Sequence, residues 1–285
     1  MGWYLSRCFI FIIRKVVKGM NLSSFGSVIG QPITLLGVTV NPLSIPQLNA
    51  LVAEAITQRK RWVIAHHNLH STYIYHRDPK MRAFYSKANY THIDGMALVL
   101  LGNSLGFSLQ REQRVTYADW LNPLMAEAAQ KSWRVFYLGS KPGVAEKGAS
   151  ILREKFLGLQ IATRDGYFDA QPDSQENQAV LQAIRHYQPN LLLVGMSMPR
   201  QEYWVSDNLE QIAANVVLTS GAAIDYIAGV VPTPPRWSGK LGLEWFFRLI
   251  AEPKRLWKRY LLEPWFILTL FLAEYTQLLF RRHQK

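Results

Sequence analysis

Several short clusters of this chain carry side chains able to do chemistry. Asp94 closes the run Tyr90-Thr-His-Ile93 and precedes Gly95. A carboxylate at a strand end in a crevice is a candidate general base; aspartate is also a good helix cap, the simpler reading of the pattern alone. Gly139-Ser140-Lys141-Pro142-Gly143 is a strand-to-helix turn with an ammonium beside it. Free backbone N–H groups at a helix start suit a phosphate or diphosphate, and an ordinary glycine turn reads the same way. It matches neither a Walker loop nor the dinucleotide fingerprint. Gln201 and Glu202 follow Met198-Pro199-Arg200; a glutamine facing a crevice could hydrogen-bond sugar hydroxyls, and polar residues behind a proline are also routine in a first helical turn. His66, His67, His70 and His92 invite a metal reading. A strand alternates its faces, so His66 and His67 cannot both reach one ion without a bend. No HExxH pattern is present, so no metal site and no cofactor are expected.

The elements that must position these residues read as alternating strands and helices from about residue 31 to 232. Ser44-Ile-Pro-Gln47 starts a helix, with Leu48, Leu51, Val52 and Ile56 at helical spacing. Strands are expected over 62–65, 90–93, 133–138, 159–163, 191–194 and 216–219, with a helix from Asp78-Pro79 towards Ala88. This pattern predicts an α/β fold: a Rossmann-like parallel sheet with helices on both faces. The polar and glycine-rich clusters fall at the carboxyl ends of those strands, where open α/β sheets bind ligands.

Composition narrows the class. With 285 residues, 49% hydrophobic and 18% charged, the chain can bury a sizeable core and is not an intrinsically disordered sequence. A single cysteine, Cys8, excludes a disulfide framework and a multi-thiolate metal site. The formal charge of +12 implies an anionic partner. Residues 236–259 hold Arg236, Lys240, Arg248, Lys254, Arg255, Lys258 and Arg259, interleaved with aromatic residues. An apolar run to Phe280 follows, broken by Glu274 and Gln277 and short for a membrane span. Residues 233–285 are therefore expected to form an appendage lying on a membrane surface; an amphipathic helix packed on the domain is the plainer alternative. The basic cluster adjoins an apolar segment rather than a recognition motif, so nucleic acid is not an expected partner. Residues 1–30 form an apolar, basic tail without a signal-peptidase pattern.

In order along residues 33–262, the sequence resembles the WecG/TagA/CpsF glycosyltransferases, glycosyltransferase family 26. The matching stretches are Asn68, Ile93-Asp-Gly-Met96, Arg114-Val-Thr116 with Asp119, Phe136–Glu146, Asp165-Gly-Tyr-Phe168, Gly195–Glu202, Gly221–Asp225, and Gly242–Arg248 running into Glu252-Pro-Lys-Arg255. The resemblance implies a metal-independent, inverting transferase, peripheral on the cytoplasmic face of the cell membrane. It would move a hexose, of the N-acetylmannosamine type or related, from a UDP-sugar to a polyprenyl-diphosphate-linked saccharide. A glucosyl-type transfer to a longer lipid-linked oligosaccharide and a non-catalytic nucleotide-binding scaffold are the rival readings, and a homo-oligomer stays open.

The same resemblance implies Asp94 as general base and Gln201 as a donor contact. Asn68, His66, Arg114, Gly139, Ser140, Lys141, Asp165, Tyr167, Gly195, Glu202 and Asp225 are the other candidate substrate-binding residues. Arg236, Arg248, Arg255 and Arg259 are the candidates for the acceptor diphosphate. The sequence departs from the family pattern where threonine is usual (His66), where glycine follows Arg-Val-Thr (Tyr117), where Arg-Ala-Pro is usual (Thr233-Pro-Pro235) and where lysine precedes the glutamine (Arg200). His66 and Tyr117 are expected to face donor or acceptor, and so to bear on which sugar is recognised.

Overall fold

The computed structural model describes residues 30–233, 238 and 243–283. The tail 1–29, Arg236, Trp237 and Lys240 lie outside the described residues. Six strands form one parallel sheet: β3 (Trp62–His67), β4 (Tyr90–Ile93), β5 (Arg134–Gly139), β6 (Gln160–Arg164), β7 (Leu191–Gly195) and β8 (Val216–Thr219). Their spatial order is β4-β3-β8-β7-β5-β6. The expected strands are all present, most with boundaries moved by one or two residues. A short antiparallel hairpin of β1 (Ile33–Leu35) and β2 (Val38–Val40), which the βα pattern does not anticipate, precedes them.

Burial on both faces explains the apolar strands. All five residues of β7, Leu-Leu-Leu-Val-Gly, are buried, as parallel strands covered by helices require. One face packs Val63, Phe136, Leu138, Leu192, Val194 and Val217 against α3 (Pro79–Lys87), α7 (Gln175–Tyr187) and α8 (Arg200–Asn208). The other carries α1 (Ile45–Thr57), α5 (Tyr117–Gln130) and α6 (Val144–Lys155). As the sequence predicts, α1 starts at Ser44, whose N–H donates to Gln47 Oε1 at 2.9 Å. A buried polar triangle ties α7 to α8: Trp204 Nε1 donates to Asn177 Oδ1, Asn177 Nδ2 to Asn208 Oδ1, and Asn208 Nδ2 to the Trp204 carbonyl, at 2.7, 2.8 and 2.9 Å.

The C-terminal part consists of α10 (Glu244–Ala251), α11 (Pro253–Trp257), a π-helical turn (Lys258–Leu262) and α12 (Glu263–His283). Residues Pro32–Lys285 form one unit, and α12 shares a core with the hairpin: Ile267 is buried among Leu35, Leu36, Val38 and Leu98. No helix among the described residues is long and apolar enough to cross a membrane.

At the centre of the sheet the ends of β5 and β7 meet through two glycines, paired Gly139↔Gly195. A Cβ on Gly139 would sit 2.3 Å from the Gly195 carbonyl oxygen. Gly139→Ala must therefore push the two strands apart where the crevice begins. We expect a loss of about 1–3 kcal/mol, the usual cost of overpacking, read as a lower urea midpoint; an unchanged midpoint would refute the close contact.

Candidate active site

Parallel register builds the first half of the site. His66 pairs with His92 and His67 with Ile93. The Asp94 N–H donates to the His67 carbonyl at 2.7 Å and continues the ladder one step beyond β4. Side chains alternate along a strand, so His66 and Asn68 project on one side of β3, and His92 and Asp94 on the same side of β4. At the strand ends Asn68 Nδ2 donates to Asp94 Oδ2 at 3.1 Å. Asn68 also caps α2 (Leu69–Arg77): its Oδ1 accepts the Ser71 N–H. One side chain thus fixes a helix start and aims the carboxylate. Asp94 itself does not cap. The cap of α4 (Met96–Ser104) is Gly95, at φ +119°, a conformation that glycine alone adopts freely. The Val115 N–H donates to the Ile93 carbonyl at 2.8 Å and brings Tyr117, at the start of α5, beside Asp94 and His66.

The histidines divide as strand alternation predicts. His67 is buried on the opposite face, where its ring nitrogens meet the Ser71 and Thr72 hydroxyls at 2.8 and 3.2 Å. Burial holds its pKa down at about 3, and His92 likewise at about 3. His66 Nδ1 lies 2.8 Å from the Thr219 carbonyl; burial lowers its pKa also, against the opposing pull of Asp94. Among the described residues, no group of three or more His, Cys, Asp or Glu side chains is placed to hold a metal ion.

The ends of β5, β7 and β8 form the second half. Ser140 takes a left-handed backbone at φ +63°, and its N–H donates to the Gly195 carbonyl at 3.2 Å. Tyr137 Oη donates to the Gly221 carbonyl at 3.1 Å. Gln201 and Glu202 both point inward. The Gln201 Oε1 accepts the Gly221 N–H at 3.1 Å, and its Nε2 donates to Glu202 Oε1 at 2.7 Å. Gln201 thus clamps the start of α8 to the turn after β8. Glu202 is 1% exposed, and its Oε2 has no hydrogen-bond partner among the described residues. Burial pushes its carboxyl up to about 7. Asp225, on the short α9 (Ala223–Ile227), lies near Ser140 and Lys141, and burial raises its pKa. Lys141 itself is exposed.

The C-terminal segment supplies cations to the first half. Arg248 and Arg259 both lie within electrostatic reach of Asp94 and of Tyr260, and Arg248 also of Tyr226. The Arg248 Nε is buried with no hydrogen-bond partner among the described residues. Glu263 fastens the segment: its Oε2 meets His70 Nδ1 on α2 at 2.7 Å. Next to it Phe266 packs edge-on to Tyr73, centroids 5.5 Å apart, under the Arg77 guanidinium.

Other candidates sit elsewhere. Arg114 is engaged with Asp119, at 2.9 Å, and holds the turn into α5. Arg255 is exposed and paired with Glu252. Asp165 Oδ1 accepts the Tyr167 N–H at 3.0 Å in a tight turn, and the Tyr167 ring is exposed. Asp165 borders a groove of about 310 Å³ with Pro142, Gly143 and Thr163.

A family model described as the glycosyl transferase WecG/TagA/CpsF family matches residues 33–281. The chain belongs to the WecG/TagA/CpsF glycosyltransferase family. It is thus a glycosyltransferase, of a family that serves cell-surface polysaccharide synthesis. Of the candidates that the sequence offers this WecG/TagA/CpsF transferase, the fold brings Asn68, Asp94, Arg248 and Arg259 into one region. Tyr226, Thr219 and the His70–Glu263 bond, also there, are not among those candidates. Only Tyr260 gave a signal, as one of the aromatics between the arginines.

Glu202 makes the stability of this transferase depend on pH. The folded carboxyl keeps its proton up to about 7, whereas the unfolded one releases it near its ordinary 4.5. Stability from this group is therefore complete below the lower value and falls as pH rises through the window. The loss is on the order of 3 kcal/mol at about 1.4 kcal/mol per pKa unit. Glu202→Gln should gain that much on the wild type between pH 4.5 and 8 in urea unfolding. Parallel pH profiles of the two proteins would refute it.

Proposed function

We propose that this chain is an inverting, metal-independent transferase that moves a hexose, of the N-acetylmannosamine type or related, from a UDP-sugar to a polyprenyl-diphosphate-linked saccharide. The observation that carries this reading is that Asp94, aimed by Asn68, has the guanidinium groups of Arg248 and Arg259 within electrostatic reach. Inversion requires one in-line displacement at the anomeric carbon. The acceptor hydroxyl loses its proton to a base while negative charge builds on the departing diphosphate. Asp94 takes that proton. Arg248 and Arg259 meet diphosphate charge on the acceptor side, and a partnerless buried Nε on Arg248 is a donor held ready for an anion. The turn 139–143, with its N–H groups at the start of α6 and Lys141 beside them, suits the donor diphosphate. Gln201 serves this site by holding the β8 turn.

The reading includes peripheral attachment to the cytoplasmic membrane face. Trp257, Leu261, Trp265, Leu268, Leu272 and Leu279 are all exposed, and they recur at helical spacing along one stripe. Lys254, Arg255 and Lys258 are exposed beside them. An apolar stripe flanked by cations fits an anionic headgroup layer, with about 1 kcal/mol per basic residue near the surface.

Two experiments test this. Asp94→Asn should lower turnover by about two to four orders of magnitude and leave UDP affinity unchanged, read by UDP release and by calorimetry; near-wild-type turnover would remove Asp94 from the chemistry. Replacing Trp257, Trp265 and Leu272 together by serine should abolish sedimentation with phosphatidylserine vesicles without lowering the melting temperature, since these side chains are exposed. Continued sedimentation at wild-type level would refute attachment through this stripe.

A further inference from the structure

Two side chains beside Asp94 depart from the family pattern, and the fold brings them into contact. The His66 and Tyr117 rings meet edge to face, centroids 6.2 Å apart and 87° between planes. They come from different elements, the end of β3 and the start of α5, so their meeting is a tertiary fact. Each has a polar atom without a hydrogen-bond partner among the described residues. The Thr219 carbonyl can only accept, so His66 Nδ1, 2.8 Å away, carries the proton. That fixes Nε2 as an acceptor, and it has no partner among the described residues. Burial keeps the ring neutral, so it is an acceptor and not a third cation beside the arginines. The Tyr117 hydroxyl is buried with no hydrogen-bond partner among the described residues, within electrostatic reach of Asp94.

Resting on the transfer reading above, we propose that His66 and Tyr117 select the sugar, accepting a pyranose with a free hydroxyl at the ring position against them and rejecting one with an acetamido group there. A sugar hydroxyl both donates and accepts, which matches an imidazole Nε2 and a phenol side by side. An acetamido group adds a planar amide and a methyl, and the imidazole and phenol fill the space that the usual threonine and glycine would leave. A site built to hydrogen-bond a hydroxyl discriminates strongly, because the wrong substrate leaves buried polar groups unpaired. With a donor of the N-acetylmannosamine type the ring read in this way is the terminal sugar of the acceptor; if it is instead the donor's, the transferred hexose carries a free hydroxyl there in place of the acetamido group.

The test compares wild type with His66→Thr, Tyr117→Gly, their double variant and Tyr117→Phe, which removes the hydroxyl without opening space. The donor arm measures calorimetric affinities for UDP, UDP-glucose and UDP-N-acetylglucosamine without acceptor. The acceptor arm measures kcat/KM on polyprenyl-diphosphate acceptors ending in glucose or in N-acetylglucosamine. In one arm the wild type should favour the plain hexose at least tenfold. The double variant should erase that preference with UDP affinity unchanged, and Tyr117→Phe should weaken only the plain hexose. The arm in which this occurs identifies the ring. The inference is overturned if both ratios are unchanged in variants that melt like wild type, or if the wild type favours the acetamido sugar in both arms. Intact donor binding with no transfer to any lipid acceptor would sink the transfer reading instead, and the donor arm would still decide this one.

Discussion

The amide of Asp94 donates to the carbonyl of His67 at 2.7 Å, and through that bond the β3–β4 ladder runs on into the site. A parallel pair holds its register by evenly spaced bonds, so extending it by one residue leaves little freedom in where Asp94 lies. The two-residue alternation then stacks Asn68 over His66 and Asp94 over His92, in adjacent columns. Val115 adds a further bond on the outer side of β4 and delivers Tyr117. The carboxylate, its orienting amide and the two rings beside it are all set by one ladder, and the glycine at 95 lets the chain leave it at once.

The second half of the crevice depends on a different constraint, the close approach of backbone at Gly139 and Gly195. With no side chains between them, β5 and β7 end together, and the turns beyond are free to expose N–H groups. The Gln201 amide then locks the β8 turn to α8, beside a buried carboxyl whose pKa is raised to about 7. The two carboxyls of the site therefore differ in kind: burial raises the Glu202 pKa to about 7, whereas Asp94 keeps cations within reach. In a partly desolvated crevice such cations act more strongly than they would in water.

Those cations come from the C-terminal segment, which has two faces. Its inner side enters the fold through Ile267, Phe266 and Glu263; its outer side leaves tryptophans and leucines in solvent. The same helical turns that expose Trp257 and Leu261 carry Arg259 to the inside, so the apolar outer face and the charge at the inner face are linked by helix geometry.

The sequence by itself determined the βα alternation, the strands and their polar ends, because buried parallel strands need continuous apolar runs and ligand-binding turns need glycine and polar residues. It also put Asp94 at a strand end, but only the fold shows that Gly95 takes the cap position and that Asn68 reaches the carboxylate from 26 residues away. It grouped Arg248, Arg255 and Arg259 as equals. Helix phase separated them, with Arg255 turned to solvent and Glu252 while the other two approach Asp94. It offered Gln201 as a crevice-facing donor, and the fold uses that amide inside the protein. Sheet order, the hairpin, the His66 tautomer and the contact of His66 with Tyr117 were likewise decided only in three dimensions. Local spacing fixes which way a side chain points from its own element; which partner it meets there depends on how distant elements pack.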